Sequence, residues 1–350
     1  MKILRIIIPG LVIIVVLAIM ASIAGQDDAV AARLKVIAPA ETEADTVTAV
    51  TAEETDGNAA MVVPVVENLA LNDSYADMQW ALNYINIASL WQTDGGGGVI
   101  VAVLDTGVDS DHEDLSGQVV GAVNFSASDG TEDIHGHGTH IAGIIAANSD
   151  NGQGVAGIAP GSRLLNVKVA DDNGYCQSSA VAEGIIWAVD NGALVINLSL
   201  ELKEPTPELE AAVDYAWSRG AIVIAAAGNE GTQTPVYPAL YENVIAVAAT
   251  SQNDTLAPLS NYGQWVNIAA PGNEIYSTLP GDKYGFKTGT SFATAHVSGL
   301  AAILFNTVSD SNGDGRLNDE VRAALETGCQ QVGGVVEWGR VDAALLALNV

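Results

Sequence analysis

Three short blocks of this sequence carry residue types that could do nucleophilic or acid–base chemistry. Asp105 ends an apolar run, a histidine-rich block spans 135–140, and Ser291 follows a Gly-Thr pair at the start of an apolar stretch. A hydroxyl becomes a nucleophile when an imidazole takes its proton and a carboxylate orients the imidazole. Each block alone also has a simpler explanation, because Asp and Ser commonly cap helices and turns.

The histidine block permits two chemistries. Its H-x-H-x-x-H spacing, at His135, His137 and His140, could ligate zinc, and a histidine beside a glycine turn could instead be a general base. Ser291 begins a helical pattern, where free backbone N–H groups and the helix dipole favour negative charge that develops nearby. All five histidines of the chain lie in or next to the three blocks, which favours one shared site.

The elements that must position these residues alternate between strands and helices. Buried strands are predicted at 99–104, 163–169, 194–198, 222–227 and 244–248, and helices at 140–148, 178–191, 208–219 and 291–307. This alternation predicts an α/β fold with three layers, α/β/α, around a mostly parallel central sheet. Active sites in such folds lie at the carboxyl ends of strands, so we expect the site after Leu104, Leu198 and Ala227.

Composition limits the classes of partner. The chain has 350 residues, with 42 acidic and 13 basic side chains, and so a formal net charge of −29. A polyanion of this kind repels nucleic acids and anionic lipid surfaces, so no nucleic acid is expected as a partner. Calcium is the first cation to consider, and no organic cofactor is expected.

The N-terminus has the layout of a targeting segment. Lys2 and Arg5 precede twenty uncharged, mostly apolar residues (6–25), and small residues stand before a candidate cleavage site after Ala24. This pattern predicts a secretory signal peptide at 1–24, with a retained membrane anchor as the alternative. Either reading predicts a protein that works outside the cytoplasm, secreted or anchored, with membrane contact only if the segment is retained.

The rest of the chain divides in two. Residues 25–65 are acidic and lack aromatic side chains, which predicts a pro-segment or linker, and residues 66–350 form the globular domain. Cys176 and Cys329 permit one disulfide in an exported protein, and the sequence leaves their pairing open.

Six motifs in order make the chain similar to a known family. The segments VAVLDTGVD (101–109), HGTHIAG (137–143) and GTSFATAHVSG (289–299) resemble the signature blocks of the subtilisin-like serine proteases. The segments VINLSL, AAAGNEG and YPALY between them also match, and the likeness is greatest to the thermitase-like branch. The chain order Asp, His, Ser is the one known for subtilisin. The resemblance implies a subtilisin-like fold and a monomeric serine endopeptidase that acts on polypeptides.

The resemblance also implies a role for each candidate residue. Ser291 would be the nucleophile and His137 the general base, while Asp105 would orient the imidazole and stabilise its charged form. Asn229 would donate its side-chain amide to the tetrahedral oxyanion, together with the backbone N–H of Ser291. His135 and His140 are then not zinc ligands. The alternative is a catalytically silent, peptide-binding relative with an altered groove.

A peptide groove is implied as well. Members of this family bind an extended peptide along a strand edge, and the resemblance assigns substrate contact here to Leu200, Glu201, Ala225, Gly228 and Val236. Glu201 stands where the family usually has a glycine, so we expect it to reshape the groove and add charge. Val236 at the pocket floor predicts a shallower, apolar pocket.

Two calcium sites are candidates. The thermitase-like likeness implies one built from carboxylate, amide and carbonyl oxygens of Asp73, Asp114, Asn148, Asn151, Gln153 and Val155. The second is an EF-hand-like loop with Asp310, Asn312 and Asp314. Its position 12 is Val321, so the bidentate acid is missing or displaced, and a solvated turn that caps the next helix is the alternative.

Overall fold

The computed structural model describes residues 71–332 and 336–348 in full, and ahead of them the backbone of short strands. Residues Met1–Glu67 and Asn68–Val350 are separate compact units. In the first unit, one antiparallel pair is β1 (Leu4–Ile8) with β2 (Leu11–Val15), and a second antiparallel sheet contains β3 (Leu34–Val36), β4 (Val47–Ala52) and β5 (Val63–Val66). The predicted targeting segment at 1–24 and the acidic segment at 25–65 lie mostly outside the described residues, and both stay predictions. Within the described residues, no helix has the length and apolar content needed to span a bilayer.

The second unit is built on a large central sheet. Its strands are β6 (Ile100–Asp105), β7 (Val119–Asn124), β8 (Arg163–Lys168), β9 (Val195–Leu198), β10 (Ile222–Ala226), β11 (Val244–Thr250), β12 (Ile268–Pro271), β15 (Cys329–Gln330) and β16 (Gly339–Val341), with β13 (Ile275–Leu279) and β14 (Lys283–Lys287) as a separate antiparallel hairpin. In the described part of the chain, the sheet order is β15-β16-β12-β11-β10-β9-β6-β8-β7. Every neighbouring pair in it is parallel except β15 with β16.

Helices cover both faces of this sheet. They are α1 (Trp80–Tyr84), α2 (Ala88–Trp91), α3 (Gly138–Ala146), α4 (Ser178–Asp190), α5 (Pro207–Ser218), α6 (Thr290–Thr307), α7 (Asn318–Thr327) and α8 (Ala343–Leu346), with short 3-10 turns at Ala76–Met78 and Glu113–Leu115. Alternate residues of β6 enter two different cores. Val101 and Val103 pack in the core that holds α3 and α6, whereas Ala102 and Leu104 pack in the core that holds α4 and α5. The predicted α/β/α arrangement with a mostly parallel sheet is therefore confirmed.

The strands that carry the candidate residues end side by side. Strands β10, β9 and β6 are neighbours in the sheet and run parallel, so their carboxyl ends lie on one edge of it. Asp105 is the last residue of β6, Ser199 follows the end of β9, and Asn229 lies in the loop after β10. Helix α6 begins at the same edge, because the Gly228 N–H donates to the Thr290 hydroxyl at 3.2 Å.

Helix α3 begins earlier than its apolar pattern predicts. The pattern places its start at His140, whereas the helix begins at Gly138. Two side chains from outside the helix accept its first N–H groups: the Thr106 hydroxyl accepts from Gly138 at 3.1 Å and the Asp133 carboxylate accepts from Thr139 at 2.8 Å. Satisfying these otherwise free donors stabilises the first turn, and a hydrophobicity pattern does not report on such caps.

The two cysteines are not joined. Both Cys176 and Cys329 are free thiols, so the disulfide that the sequence permits is not formed. The Cys329 thiol donates to the carbonyl oxygen of Leu325 at 3.2 Å, and burial raises its pKa to about 12. Cys329 is therefore a small, partly buried side chain packed against the core and not a nucleophile.

Candidate active site

The first half of the site is a carboxylate–imidazole pair at the end of β6. His137 Nδ1 lies 2.8 Å from Asp105 Oδ1 and 2.9 Å from Oδ2. Asp105 is buried, and its Oδ1 also accepts the Thr106 N–H at 2.7 Å. A carboxylate can only accept here, so Nδ1 carries the proton and Nε2 is left as the acceptor. That tautomer is the one a general base needs.

His137 is placed by a tight turn at the start of α3. A Cβ atom at Gly138 would lie 2.0 Å from the carbonyl oxygen of Gly107, so only glycine allows this approach of the helix to the end of β6. The imidazole packs on the ring of Phe292 with 5.5 Å between ring centroids. Phe292 directly follows Ser291, so the imidazole lies beside the helix that carries the serine.

Ser291 is the second residue of α6 and is 7% exposed. Its hydroxyl donates to the carbonyl oxygen of Ser199 at 3.3 Å, and the Ser199 hydroxyl donates to the Ser291 carbonyl at 2.9 Å. The serine thus lies at the N-terminus of a long buried helix, where free N–H groups and the helix dipole favour negative charge.

Asn229 points its amide toward the same place. Its Oδ1 accepts the Thr290 N–H at 2.9 Å and the Thr290 hydroxyl at 3.1 Å. The Thr290 N–H can only donate, so it fixes which way the Asn229 amide faces. The side chain is exposed, and its NH₂ group is left to donate next to the Ser291 backbone.

The predicted groove residues divide into two groups. Leu200 and Glu201 are partly exposed, and Gly228 is buried with a φ of +97°, a conformation that favours glycine. Ala225 and Val236 have exposures of 0% and 1% and pack in the core under α4 and α5. Their side chains are therefore not on the surface, and a pocket-floor role for Val236 stays a prediction.

Glu201 reaches across to the loop that carries Asn229. Its Oε2 lies 2.5 Å from where a Cβ of Gly228 would be, and its Oε1 lies 2.8 Å from Lys203 Nζ. Lys203 also pairs with Glu230. Burial raises the pKa of Glu201, and the nearby Glu230 carboxylate raises it further. A charged, partly buried side chain thus spans the gap between the loops after β9 and β10.

The other histidines do not form a metal site. His140 is buried, its Nε2 lies 3.0 Å from the carbonyl oxygen of Gly285, and burial lowers its pKa to about 3. It is therefore a neutral donor to that carbonyl. His135 is exposed, with its ring centroid 6.2 Å from that of His137. Among the described residues, no group of three His, Cys, Asp or Glu side chains could hold a metal ion.

Sequence reasoning missed two residues that contact this site. Ser199 stands in the VINLSL motif without a predicted role of its own, yet its carbonyl oxygen accepts the Ser291 hydroxyl. No motif predicts a role for Asp133, although it accepts several hydrogen bonds around His137. A signal existed for both: Ser199 directly follows a buried strand, and Asp133 precedes a helix start, where carboxylates cap.

Comparison with known proteins identifies the family. The pattern of the subtilase family matches residues 96–335. The chain belongs to the subtilase family. It is thus a hydrolase of the serine endopeptidase class. Over 277 residues it is 44% identical to thermitase of Thermoactinomyces vulgaris, a match that covers 78% of this chain and 97% of that protein.

Two further relatives agree with this membership. This subtilase is 44% identical over 274 residues to a thermophilic serine proteinase of Bacillus sp. (strain AK1), which covers 77% of this chain and 64% of the Bacillus protein. It therefore spans less than two thirds of that relative's length. A solved protease of Pseudoalteromonas arctica PAMC 21717 has 30% identity and a TM-score of 0.72, covering 80% of this chain and 99% of that one. The predicted thermitase-like likeness is confirmed.

Proposed function

We propose that this subtilase hydrolyses peptide bonds through Ser291, His137 and Asp105, with Asn229 in the oxyanion hole. The observation that carries the proposal is the Nδ1 contact of His137 with both oxygens of buried Asp105, at the sheet edge where α6 presents Ser291. Because Nδ1 of His137 is occupied by Asp105, its Nε2 atom is free to act as the base that accepts the Ser291 proton.

The reaction begins with a movement of the Ser291 hydroxyl. At rest it donates to the Ser199 carbonyl, and a change of side-chain rotamer turns it toward His137 Nε2. Catalytic hydrogen bonds are often long or misaligned before substrate binds, so this resting geometry suits a base that engages in the complex. As the serine oxygen attacks the carbonyl carbon of the scissile bond, its proton passes to Nε2 and Asp105 stabilises the imidazolium.

The negative charge then develops on the substrate oxygen. The Asn229 NH₂ group and the Ser291 N–H donate to it, and both are held before substrate arrives because Thr290 fixes the Asn229 oxygen. His137 next gives its proton to the leaving amine, which breaks the peptide bond and leaves an acyl group on Ser291. Water repeats the sequence with His137 again as base, and the acid product leaves.

Glu201 sets the preference for the residue whose carbonyl is attacked. Its side chain occupies the space beside Gly228, next to the oxyanion donor, so a large apolar side chain of the substrate would meet both the bulk of Glu201 and its partly buried carboxylate. We expect Glu201→Gly to raise kcat/KM for peptides with Phe or Leu before the scissile bond by about 10-fold, the scale of one or two buried methylene groups. Digestion of a peptide library with mass-spectrometric readout measures this.

The matched control is Glu204→Gly, which removes an exposed carboxylate from the same loop. It should leave the preference of the parent unchanged. Equal changes in the two variants would show that net charge, and not the position of Glu201, sets the preference. The same library tests the proposed activity itself, since a silent peptide-binding relative yields no cleavage products.

A calcium ion fits the first candidate site. Asp73 and Asp114 are 5% and 0% exposed, and neither is paired with a Lys or Arg in the described part of the chain. The loop 148–155 wraps around both: Asp73 accepts the N–H groups of Asp150 and Asn151, and Asp114 accepts that of Val155 at 2.7 Å. Asn151 also donates its side-chain amide to Asp114 at 3.3 Å. Two buried carboxylates with no basic side chain beside them are ligands that a hard cation prefers, and carbonyl oxygens of the loop would have to complete the set. When bound, calcium would balance their charge and brace this loop.

Removal of calcium should lower the melting temperature. A thousandfold excess of ion over its Kd adds about 4 kcal/mol to the free energy of unfolding, which raises Tm by on the order of 10 °C in a domain of this size. Differential scanning calorimetry in calcium and in excess chelator measures the shift. Asp114→Asn should lose most of it, whereas the exposed control Asp77→Asn should keep it. An unchanged parent Tm in chelator contradicts the proposal.

The effect of calcium should grow with pH. Without a cation, burial raises the pKa of Asp114 from 3.8 to about 6. The calcium-free folded state then keeps a proton that the unfolded chain releases, so this group's contribution to stability is lost as pH rises from about 4 to 6. Calcium needs the carboxylate form. The difference in Tm with and without calcium should therefore be larger at pH 7 than at pH 4.5.

The second candidate loop fits an ion less well. Asp310 accepts the N–H groups of Gly313 and Gly315, and Asp314 pairs with Arg316 at 2.6 Å. Asn312 accepts the Asp314 N–H and donates to Asp319. A carboxylate already paired with arginine does not need a cation. The contacts fit a closed turn ahead of α7, which is the alternative to a calcium loop.

Export completes the proposed function. Its support is the sequence alone: Lys2 and Arg5 precede an apolar stretch, and the small residues Ser22 and Ala24 precede a candidate cleavage site after Ala24. We expect the secreted form to be a monomer. It should lack at least residues 1–24, and an intact mass of the protein from culture medium would reveal that loss. A mass that includes the first 24 residues in the membrane fraction would favour the anchor.

A further inference from the structure

A buried carboxylate outside the triad lies in the turn before His137. Asp133 is 4% exposed and accepts four hydrogen bonds. Its Oδ1 accepts the Thr106 hydroxyl at 2.8 Å and the Gly136 N–H at 2.7 Å, and its Oδ2 accepts the Thr139 N–H at 2.8 Å and the Thr139 hydroxyl at 2.7 Å. Four donors are enough to hold a buried charge without a direct ion pair.

These donors come from the two segments that carry the acid and the base. Thr106 directly follows Asp105 at the end of β6, while Gly136 and Thr139 stand before and after His137. The Thr106 hydroxyl also accepts the Gly138 N–H at 3.1 Å, so one threonine links Asp133 to the first turn of α3. A single carboxylate thus joins the strand that ends in Asp105 to the turn that presents His137.

Other contacts strengthen the connection. Lys168 is fully buried, and its ammonium group donates to the carbonyl oxygens of Thr106 and Glu132, the residue before Asp133. It also pairs with Asp172 at 2.9 Å. The backbone on both sides of the Asp133–Thr106 hydrogen bond is therefore fixed by a second group.

We propose that Asp133 is a positioning residue that holds His137 in register with Asp105. The inference rests on the proposed function, in which His137 is the base. The two short contacts of Nδ1 with Asp105 require the turn and the strand end to keep one relative position. A misplacement of about 1 Å in a catalytic group can cost on the order of 100-fold in rate.

An asparagine at this position cannot replace the carboxylate. Its NH₂ group would face N–H or hydroxyl donors from one side, and a donor cannot accept from them. We expect Asp133→Asn to lower kcat by about 10- to 100-fold with KM within about twofold of the parent, because substrate contacts are untouched. Thr106→Val should cause a smaller loss of kcat, and Thr106→Ser, which keeps the hydroxyl, should restore most of it.

The experiment is a double-mutant cycle with Asp133→Asn and Thr106→Val, with kcat normalised to folded protein by circular dichroism. If Asp133 and Thr106 act together, the fold-loss of kcat in the double variant is smaller than the product of the fold-losses in the two single variants. The exposed control Asp129→Asn should match the parent. Two results would overturn the proposal. One is a kcat per folded molecule of Asp133→Asn within twofold of the parent. The other is a loss of kcat in the double variant equal to the product of the two single losses.

A second readout does not depend on activity. The low-field proton resonance of His137 Nδ1–H reports its hydrogen bond to Asp105, and Asp133→Asn should shift or broaden it while Asp129→Asn does not. An unchanged resonance overturns the positioning role. If the parent cleaves no peptide but the resonance responds, the proposed function fails and the positioning of His137 by Asp133 stands.

Discussion

Ser291→Ala should give a folded protein whose kcat for peptide hydrolysis is lower by about 10⁶, the scale seen when the nucleophile of a serine protease triad is removed. The loss is large because the Ser291 oxygen is the atom that attacks the scissile carbonyl, and without it no acyl-enzyme can form. The variant should fold as the parent does, since the Ser291 hydroxyl makes one 3.3 Å hydrogen bond to Ser199 and lies at a helix start. Peptide hydrolysis rates and a melting curve for the same sample measure both points.

Ser218→Ala is the matched control. It removes an exposed serine hydroxyl in α5 that bonds only to its own helix, so kcat should be unchanged. A kcat for Ser291→Ala within tenfold of the parent would mean that the hydrolysis comes from another group or from a contaminant. That result would remove the nucleophile from the proposal.

Asn229→Ala should lower kcat by about 10²–10³ with little change in KM, the usual cost of losing one oxyanion donor. The oxygen of the substrate carries full negative charge only as the tetrahedral species forms, so the lost hydrogen bond is one made in the transition state. The variant also loses the acceptor for the Thr290 N–H, so a modest drop in Tm is expected as well.

Asn191→Ala is the control for this prediction, since it is an exposed asparagine that follows α4 and lies away from the site. It should match the parent in kcat. A rise in KM with an unchanged kcat in Asn229→Ala would contradict the oxyanion role. It would mean that the Asn229 amide binds the ground state and the transition state equally.

The sequence predicts the layered fold well, for a physical reason. Buried parallel strands are apolar on both faces, and their runs stand out between glycine and asparagine turns; all five predicted strands are present in the structure. Asp105, His137 and Ser291 are also recognisable, because each follows a strand or begins a helix in a fixed motif. The pairing of His137 with Asp105 follows from that placement once the topology is known.

The sequence does not show which distant segments of the chain contact one another. Whether Glu201 lies in the gap beside Gly228 or points to solvent depends on Lys203 and Glu230, 27 residues apart in the chain. Likewise, the spacing of Cys176 and Cys329 in the chain does not show that the two thiols are unpaired. Asp133 escapes notice because its donors come from two segments, the end of β6 and the turn around His137, that only the folded chain brings together.

Phosphonylation of the folded chain tests the central claim most directly. A fluorophosphonate reacts only with a serine that a base has activated, and it leaves a fixed added mass on that serine. Digestion and mass spectrometry should place the label on the peptide that contains Ser291, with no labelling of Ser291→Ala or of heat-unfolded protein. Absence of label on folded protein, or a label that persists in Ser291→Ala, would contradict a serine peptidase built on Asp105, His137 and Ser291.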